Sequence, residues 1–118
     1  MASYRDLIVW QKSYKLSLLI YSITKKFPKE EMFGLVSQMR RAGVSIPSNI
    51  AEGNNRFGKK DNAQFLRVAY GSASELETQI SISKDLKYVS EREYTEASGL
   101  LSEIMKMLYT LLIRVSNV

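Results

Sequence analysis

The apolar rhythm of this chain runs straight through a proline. Met32, Val36, Met39, Gly43, Ile46 and Ile50 recur at three- and four-residue steps on both sides of Pro47, the mark of one continuous helical face. A chain that keeps helical phase across a proline folds as a long helix with the ring inside it. Pro47 is therefore expected to kink this helix rather than end it. The opposite side carries Gly34, Gln38, Arg41, Ser45, Ser48 and Glu52 at the same period, a narrow polar stripe suited to contact beyond the helix's own bundle. Pro47 cannot donate to the carbonyl of Gly43, four residues back. Ser45, Ser48 and Asn49 are the nearby groups expected to bond the backbone freed there.

With two prolines, six glycines and no run of strict alternation, the remainder also reads as helix. The first helix is expected from about Tyr4 to Phe27, with Ser3 as cap and Asp6 three residues on. Pro28 stops it and opens the second, where Glu30 and Glu31 suit the positive end of the helix dipole. The second helix runs to about Asn55, and Asn54-Asn55-Arg56-Phe57-Gly58 is the clearest loop. A third spans about Lys60 to Lys87, with Leu66, Ala69, Ala73, Leu76 and Ile80 inward. Ser90-Glu91-Arg92-Glu93 is a capping box that starts a fourth, whose core stripe is Ala97, Leu101, Ile104, Leu108, Leu111 and Val115. Long helices and short loops in one domain of 118 residues define an all-α, antiparallel up-and-down four-helix bundle.

Cysteine and histidine are both absent. Disulfides, thiolate metal sites and cysteine catalysis are excluded, along with the commonest general base. The serines of Gly71-Ser72-Ala73-Ser74 have neither a histidine nor a preceding strand to make a nucleophile. An enzyme would need Glu52, Glu75 or Glu77 gathered around a metal at a subunit boundary, and their spacing does not demand it. The expectation is a non-enzymatic protein with no metal, cofactor or small-molecule substrate. Arg5, Asp6 and Lys12 interrupt any leader-like run, and no stretch approaches the roughly 20 apolar residues of a membrane span. A cytoplasmic location away from membranes follows as an expectation.

The first helix has too much apolar surface for an isolated bundle. Leu7, Trp10, Tyr14, Leu18 and Tyr21 form one stripe; Leu16, Leu19, Ile20, Ile23 and Phe27 form another, about 150° away at about 100° per residue. A peripheral helix needs one such face, so the other is expected to meet a second copy of the chain. Sequence leaves open which stripe does so. The set Leu16, Leu19, Ile20, Ile23 and Phe27 is carried forward as the oligomer interface.

Charge is uneven as well as positive. The net value is +5, with an excess of cations before residue 61 and of anions after it. This pattern fits either complementary neighbouring helices or a basic surface for an anionic partner. The candidate cations are Lys12, Lys15, Arg40, Arg41, Arg56, Lys59, Lys60 and Arg67. An internal ion pair between Glu75 and one of the arginines at 40 and 41 is expected to fix helix register.

The segments Trp10-Gln11-Lys12, Phe27-Pro28, Glu31-Met32-Phe33-Gly34-Leu35, Gln38-Met39-Arg40-Arg41-Ala42, Ser45-Ile46-Pro47-Ser48-Asn49-Ile50-Ala51-Glu52-Gly53 and Ala69-Tyr70-Gly71-Ser72 with Glu75-Leu76-Glu77 resemble the four-helix-bundle family named for intervening sequences in 23S ribosomal RNA genes. The resemblance covers nearly the whole chain. It implies subunits that assemble into a five-membered ring, and structural roles for Ser45, Pro47, Asn49, Glu52, Gly53, Gly71 and Glu75. A related group, the accessory variability proteins of diversity-generating retroelements, forms such rings and binds a reverse transcriptase and nucleic acid. Two functions are therefore carried forward. One is a homopentameric binder of RNA or a nucleic-acid-processing protein; the other is an oligomeric adaptor that docks a protein partner without touching nucleic acid.

Overall fold

The computed structural model describes residues 3–116. They form four α-helices, α1 (Ile8–Thr24), α2 (Leu35–Asn54), α3 (Lys59–Asp85) and α4 (Glu91–Ser116). Each packs on its neighbour in the chain and α4 closes back on α1. The result is an antiparallel up-and-down bundle about 45 Å long. The expected stripes of α3 and α4 turn inward: Leu66, Ala69, Ala73, Leu76 and Ile80 are buried with Ala97, Leu101, Ile104 and Leu108 in one core, and Leu111 and Val115 are half-buried against it.

Helix α2 is continuous through Pro47, which is buried inside it. The carbonyl of Gly43, deprived of its helical donor, is not repaired locally. The Ser17 hydroxyl of α1 donates to it across the helix interface at 2.8 Å, closer than the 3.1 Å to its own Ser13 carbonyl. Asn49 bonds Ser45, and Ser45 in turn receives a hydrogen bond from Ser72 of α3. The expected repair of the Gly43 carbonyl by Ser45, Ser48 and Asn49 is therefore corrected: Ser45 ties α2 to α3, Asn49 braces Ser45 within α2, and α1 repairs the proline gap.

Two small hydroxyl residues of α1 meet α2: Ser17 donates to the Gly43 carbonyl and Thr24 accepts from Arg40. Both are buried, as is Ser13; Ser13 and Thr24 return their protons to the carbonyls of Val9 and Ile20. This seam decides which apolar stripe of α1 turns inward. Leu16, Ile20, Ile23 and Phe27 lie in the protomer's own core and Leu19 is half-buried against it, so they are not a surface for a second copy. The outward stripe is the aromatic one.

Both expected starts near the amino end shift. Ser3 and Asp6 do form a capping box, but it closes only a 3-10 turn, Tyr4–Asp6, because Leu7 is extended. Pro28 likewise opens a 3-10 turn, Lys29–Glu31, and Gly34, at ψ −109°, delays α2 to Leu35. Met32 is consequently exposed instead of belonging to the α2 core face. Glu31 spans that delay: one carboxylate oxygen accepts from the Leu35 amide at 3.2 Å, the other from the Tyr88 hydroxyl at 3.1 Å. Burial and this carboxylate push the Tyr88 hydroxyl pKa up.

Helix α3 ends in a Schellman closure. The Tyr88 amide reaches the Ser83 carbonyl at 2.9 Å, and Lys87 takes the left-handed position at φ 65°, which glycine usually fills. The α4 capping box is complete, with Glu93 N–H on Ser90 Oγ and Ser90 N–H on Glu93. Lys26 reaches Glu93 from the end of α1.

Two expectations follow. Ser17→Ala should cost about 1–3 kcal/mol, the penalty for a buried carbonyl left unpaired. In a Pro47→Ala background, where the new amide can serve Gly43, the same change should cost much less; urea unfolding of the four variants reads the difference. The Lys26 hydrogen bond and the Ser90 backbone amide lower the Glu93 pKa. A lowered carboxylate stabilises the fold above its unfolded pKa of about 4.3 and loses that contribution as pH falls through the folded value. Glu93→Gln keeps the capping box but loses the charge, so it should cost only a few tenths of a kcal/mol, at most about 1, at pH 7, and the gap from wild type should narrow below about pH 4.

Candidate partner and nucleic-acid interface

Because the hydroxyl seam holds α1 close to α2, the large side chains of the outward stripe are displaced to the rim of the α1/α2 groove. Trp10 stacks on Tyr14 with centroids 5.1 Å apart, and Tyr4 meets Trp10 edge-on at 5.2 Å. Arg5 lies 5.3 Å from the Trp10 ring. With Leu18, Tyr21, Val44, Pro47 and Ala51 these rings line a hollow of about 420 Å³. It adjoins a second, which shares Tyr21, Val44 and Ser48 and extends to Phe33, Arg40 and Arg41. Tyr14 is 50% and Leu18 59% exposed, so the protomer leaves this face uncovered.

The candidate cations do not form one surface. Lys12 is paired with Glu103 of α4 at 2.9 Å, and Lys15 is exposed on α1. Arg40 lies 4.6 Å from the Tyr21 ring and donates from Nε to Thr24 Oγ1 at 3.0 Å. Arg41 is exposed on the groove's edge. Neither arginine reaches Glu75, which is exposed on α3; among the described residues Arg41 and Glu75 form no ion pair. The expected internal ion pair is absent, and register comes from packing and the serine bonds instead. Arg67 is exposed along α3.

Arg56, Lys59 and Lys60 do cluster, around the α2–α3 loop. Arg56 is held by Glu52 at 2.6 Å and lies 4.9 Å from the Phe65 ring. Lys59 and Lys60 open α3 with no ion-pair partner among the described residues. Phe57 stands fully exposed beside them. The antiparallel topology brings Arg5 and Arg114 to the same end of the bundle. Sequence reasoning missed Phe57, Arg5 and Arg114; an aromatic residue flanked by cations in a loop was the available signal for the first.

The loop is anchored by close packing behind it. A Cβ on Gly53 would lie 2.7 Å from Asn62 Oδ1 and 2.9 Å from the Phe65 Cβ, so the small residue lets α2 and α3 converge before the chain turns. Among the described residues no cluster of acidic groups could hold a metal ion, and no helix is long and apolar enough to cross a membrane.

A hydroxyl-seamed four-helix bundle with an open aromatic groove and a basic end belongs to the class of small all-helical proteins. More specifically, the chain belongs to the family of 23S rRNA-intervening sequence proteins, whose model matches residues 5–110. The crystal structure of a protein of unknown function from the S23 ribosomal protein family of Bacteroides thetaiotaomicron VPI-5482 has the same fold. Its TM-score is 0.81 at 24% identity, over 89% of this chain and 98% of that one. No curated protein matches.

The two neighbouring arginines should separate cleanly. Arg40→Met should cost the protomer about 1–2 kcal/mol through the lost ring contact and hydrogen bond. Arg41→Met should stay within about 0.5 kcal/mol of wild type; urea midpoints at protein concentrations too low for association check both.

Proposed function

We propose that this protein is a non-enzymatic, self-associating binder of RNA or of a ribonucleoprotein, acting in the cytoplasm. The uncovered α1/α2 face supports association, and the ring of five remains the arrangement implied by the family resemblance. The observation that carries nucleic-acid binding is the exposed Phe57 beside unpaired Lys59 and Lys60 at the basic end. Lysines at a helix amino terminus oppose the helix dipole, so within the protomer they are poorly placed. A phosphate backbone would compensate both the lysines and the dipole, and an exposed ring offers a base a stacking surface without reading its identity. Arg56 adds to this end from the same loop, whereas Lys12, committed to Glu103, contributes little.

A gel shift on structured and single-stranded RNA tests this reading. Lys59→Glu with Lys60→Glu should abolish retention while leaving the solution mass unchanged. In a milder Lys59→Gln, Lys60→Gln variant, the slope of log K against log salt should fall by about 1.5. Phe57→Ala should weaken single-stranded RNA by about 1–3 kcal/mol and duplex RNA much less. No retardation of any RNA by wild type at low salt would overturn nucleic-acid binding. Collapse of the oligomer on reversing the two lysines would favour the adaptor role, with this end docked on protein.

A further inference from the structure

Helix α3 presents a second unpartnered face, unlike the first. Gln64, Val68, Gly71, Glu75, Thr78 and Ile82 follow one another at alternating four- and three-residue steps and are all exposed. This is the spacing by which one helix lies along a partner. Val68 and Ile82, 48% and 45% exposed, give the stripe an apolar residue toward each end. At its middle stands Gly71, an unfavourable residue for a helix interior. Nothing in the protomer accounts for it: a Cβ there would find no atom within 4 Å, whereas Gly53 is plainly required by its own neighbours. The adjacent Ser72 turns inward to Ser45, which leaves Gly71 and Glu75 facing out.

The α1/α2 groove is the complement of this stripe. It is largely apolar with aromatic rings along its rim, carries Arg40 and Arg41 on one edge, and has no acidic side chain in its lining. The α3 stripe is slim at its centre and carries Glu75 beside the glycine. The two faces lie on different sides of the bundle, since α3 packs on α2 and α4 and not on α1. One copy can therefore use both at once.

We propose that the occupant of the α1/α2 groove is α3 of a second copy of this chain. Gly71 makes the closest approach to the groove, between its aromatic rims, and Glu75 pairs with Arg41 of the neighbour. The contact is head-to-tail, so it propagates from copy to copy and closes only as a ring. This inference rests on the self-association proposed above and adds which two surfaces meet.

Light scattering and sedimentation of the full chain at tens of micromolar test it, with circular dichroism as a check on folding. Gly71→Leu improves helix propensity and meets nothing inside the protomer, so it should keep the fold and reduce the assembly to monomer. Arg41→Glu and Glu75→Arg should each weaken assembly at least tenfold, and the double variant carrying both should recover most of it. Emission from Trp10, the sole tryptophan, should shift to the red in every dissociated variant as the groove opens to water. A monomeric wild type would overturn self-association itself and leave the groove to another kind of partner. An oligomeric wild type whose Gly71→Leu and Arg41→Glu variants assemble unchanged would overturn only the pairing of these two faces. Loss of assembly in both charge variants without recovery in the double variant would overturn the Arg41–Glu75 contact.

Discussion

The hydrogen bond from Ser17 to the Gly43 carbonyl holds the arrangement of this bundle together. A proline inside a helix leaves one acceptor without a donor, and in a buried position that acceptor has no water to turn to. The donor here comes from another helix, so the defect in α2 dictates where α1 must lie. With Ser17 fixed over Gly43 the helices approach closely, and Thr24 meets Arg40 further along the same seam. Leu16, Ile20 and Ile23 are then rotated into the core, and Trp10, Tyr14, Leu18 and Tyr21 are left on the rim. The exposed aromatic face is thus a consequence of how the proline is accommodated.

That chain of causes explains what was legible in the sequence. Helical phase is a local property, so continuity through Pro47, the inward stripes of α3 and α4 and the Ser90 capping box could all be read directly. The excess apolar surface of α1 was also visible. Its orientation was not, because the choice between two greasy stripes is made by hydroxyl groups that look polar and therefore exterior. Ser13, Ser17 and Thr24 are buried with their protons returned to backbone carbonyls. The late start of α2 had a similar origin. Glu31 was expected to favour a helix amino terminus and does, but the helix it caps begins at Leu35, beyond the break at Gly34.

Charge was the least readable property, since pairing depends on which helix ends meet. Lys12, Lys26, Arg56 and Lys84 are all engaged with carboxylates, three of them on α4. Such exposed pairs contribute little stability, yet they remove those cations from the outward field. The cations outside these pairs are more informative than the net charge: they include Lys59 and Lys60 at one end and Arg41 at the groove, while Glu75 on α3 is an exposed anion outside any of these pairs. The anionic excess in the later part of the sequence is therefore of two kinds. Part of it neutralises neighbours within the bundle, and part of it, on α3, has no internal neighbour to neutralise.

A single protomer offers a small nucleic-acid surface, a handful of cations and one exposed ring at its basic end. Few phosphate contacts mean weak binding at physiological salt. Head-to-tail copies related by rotation about one axis would carry their basic ends on the same side of the ring, and each contact after the first would then form at high effective concentration. In that arrangement weak sites are an advantage, because affinity would appear only in the assembled state and would vanish on dissociation. The aromatic groove and the basic end would thus be coupled without touching: one would set how many copies stand together, and that number would set how tightly a phosphate backbone is held.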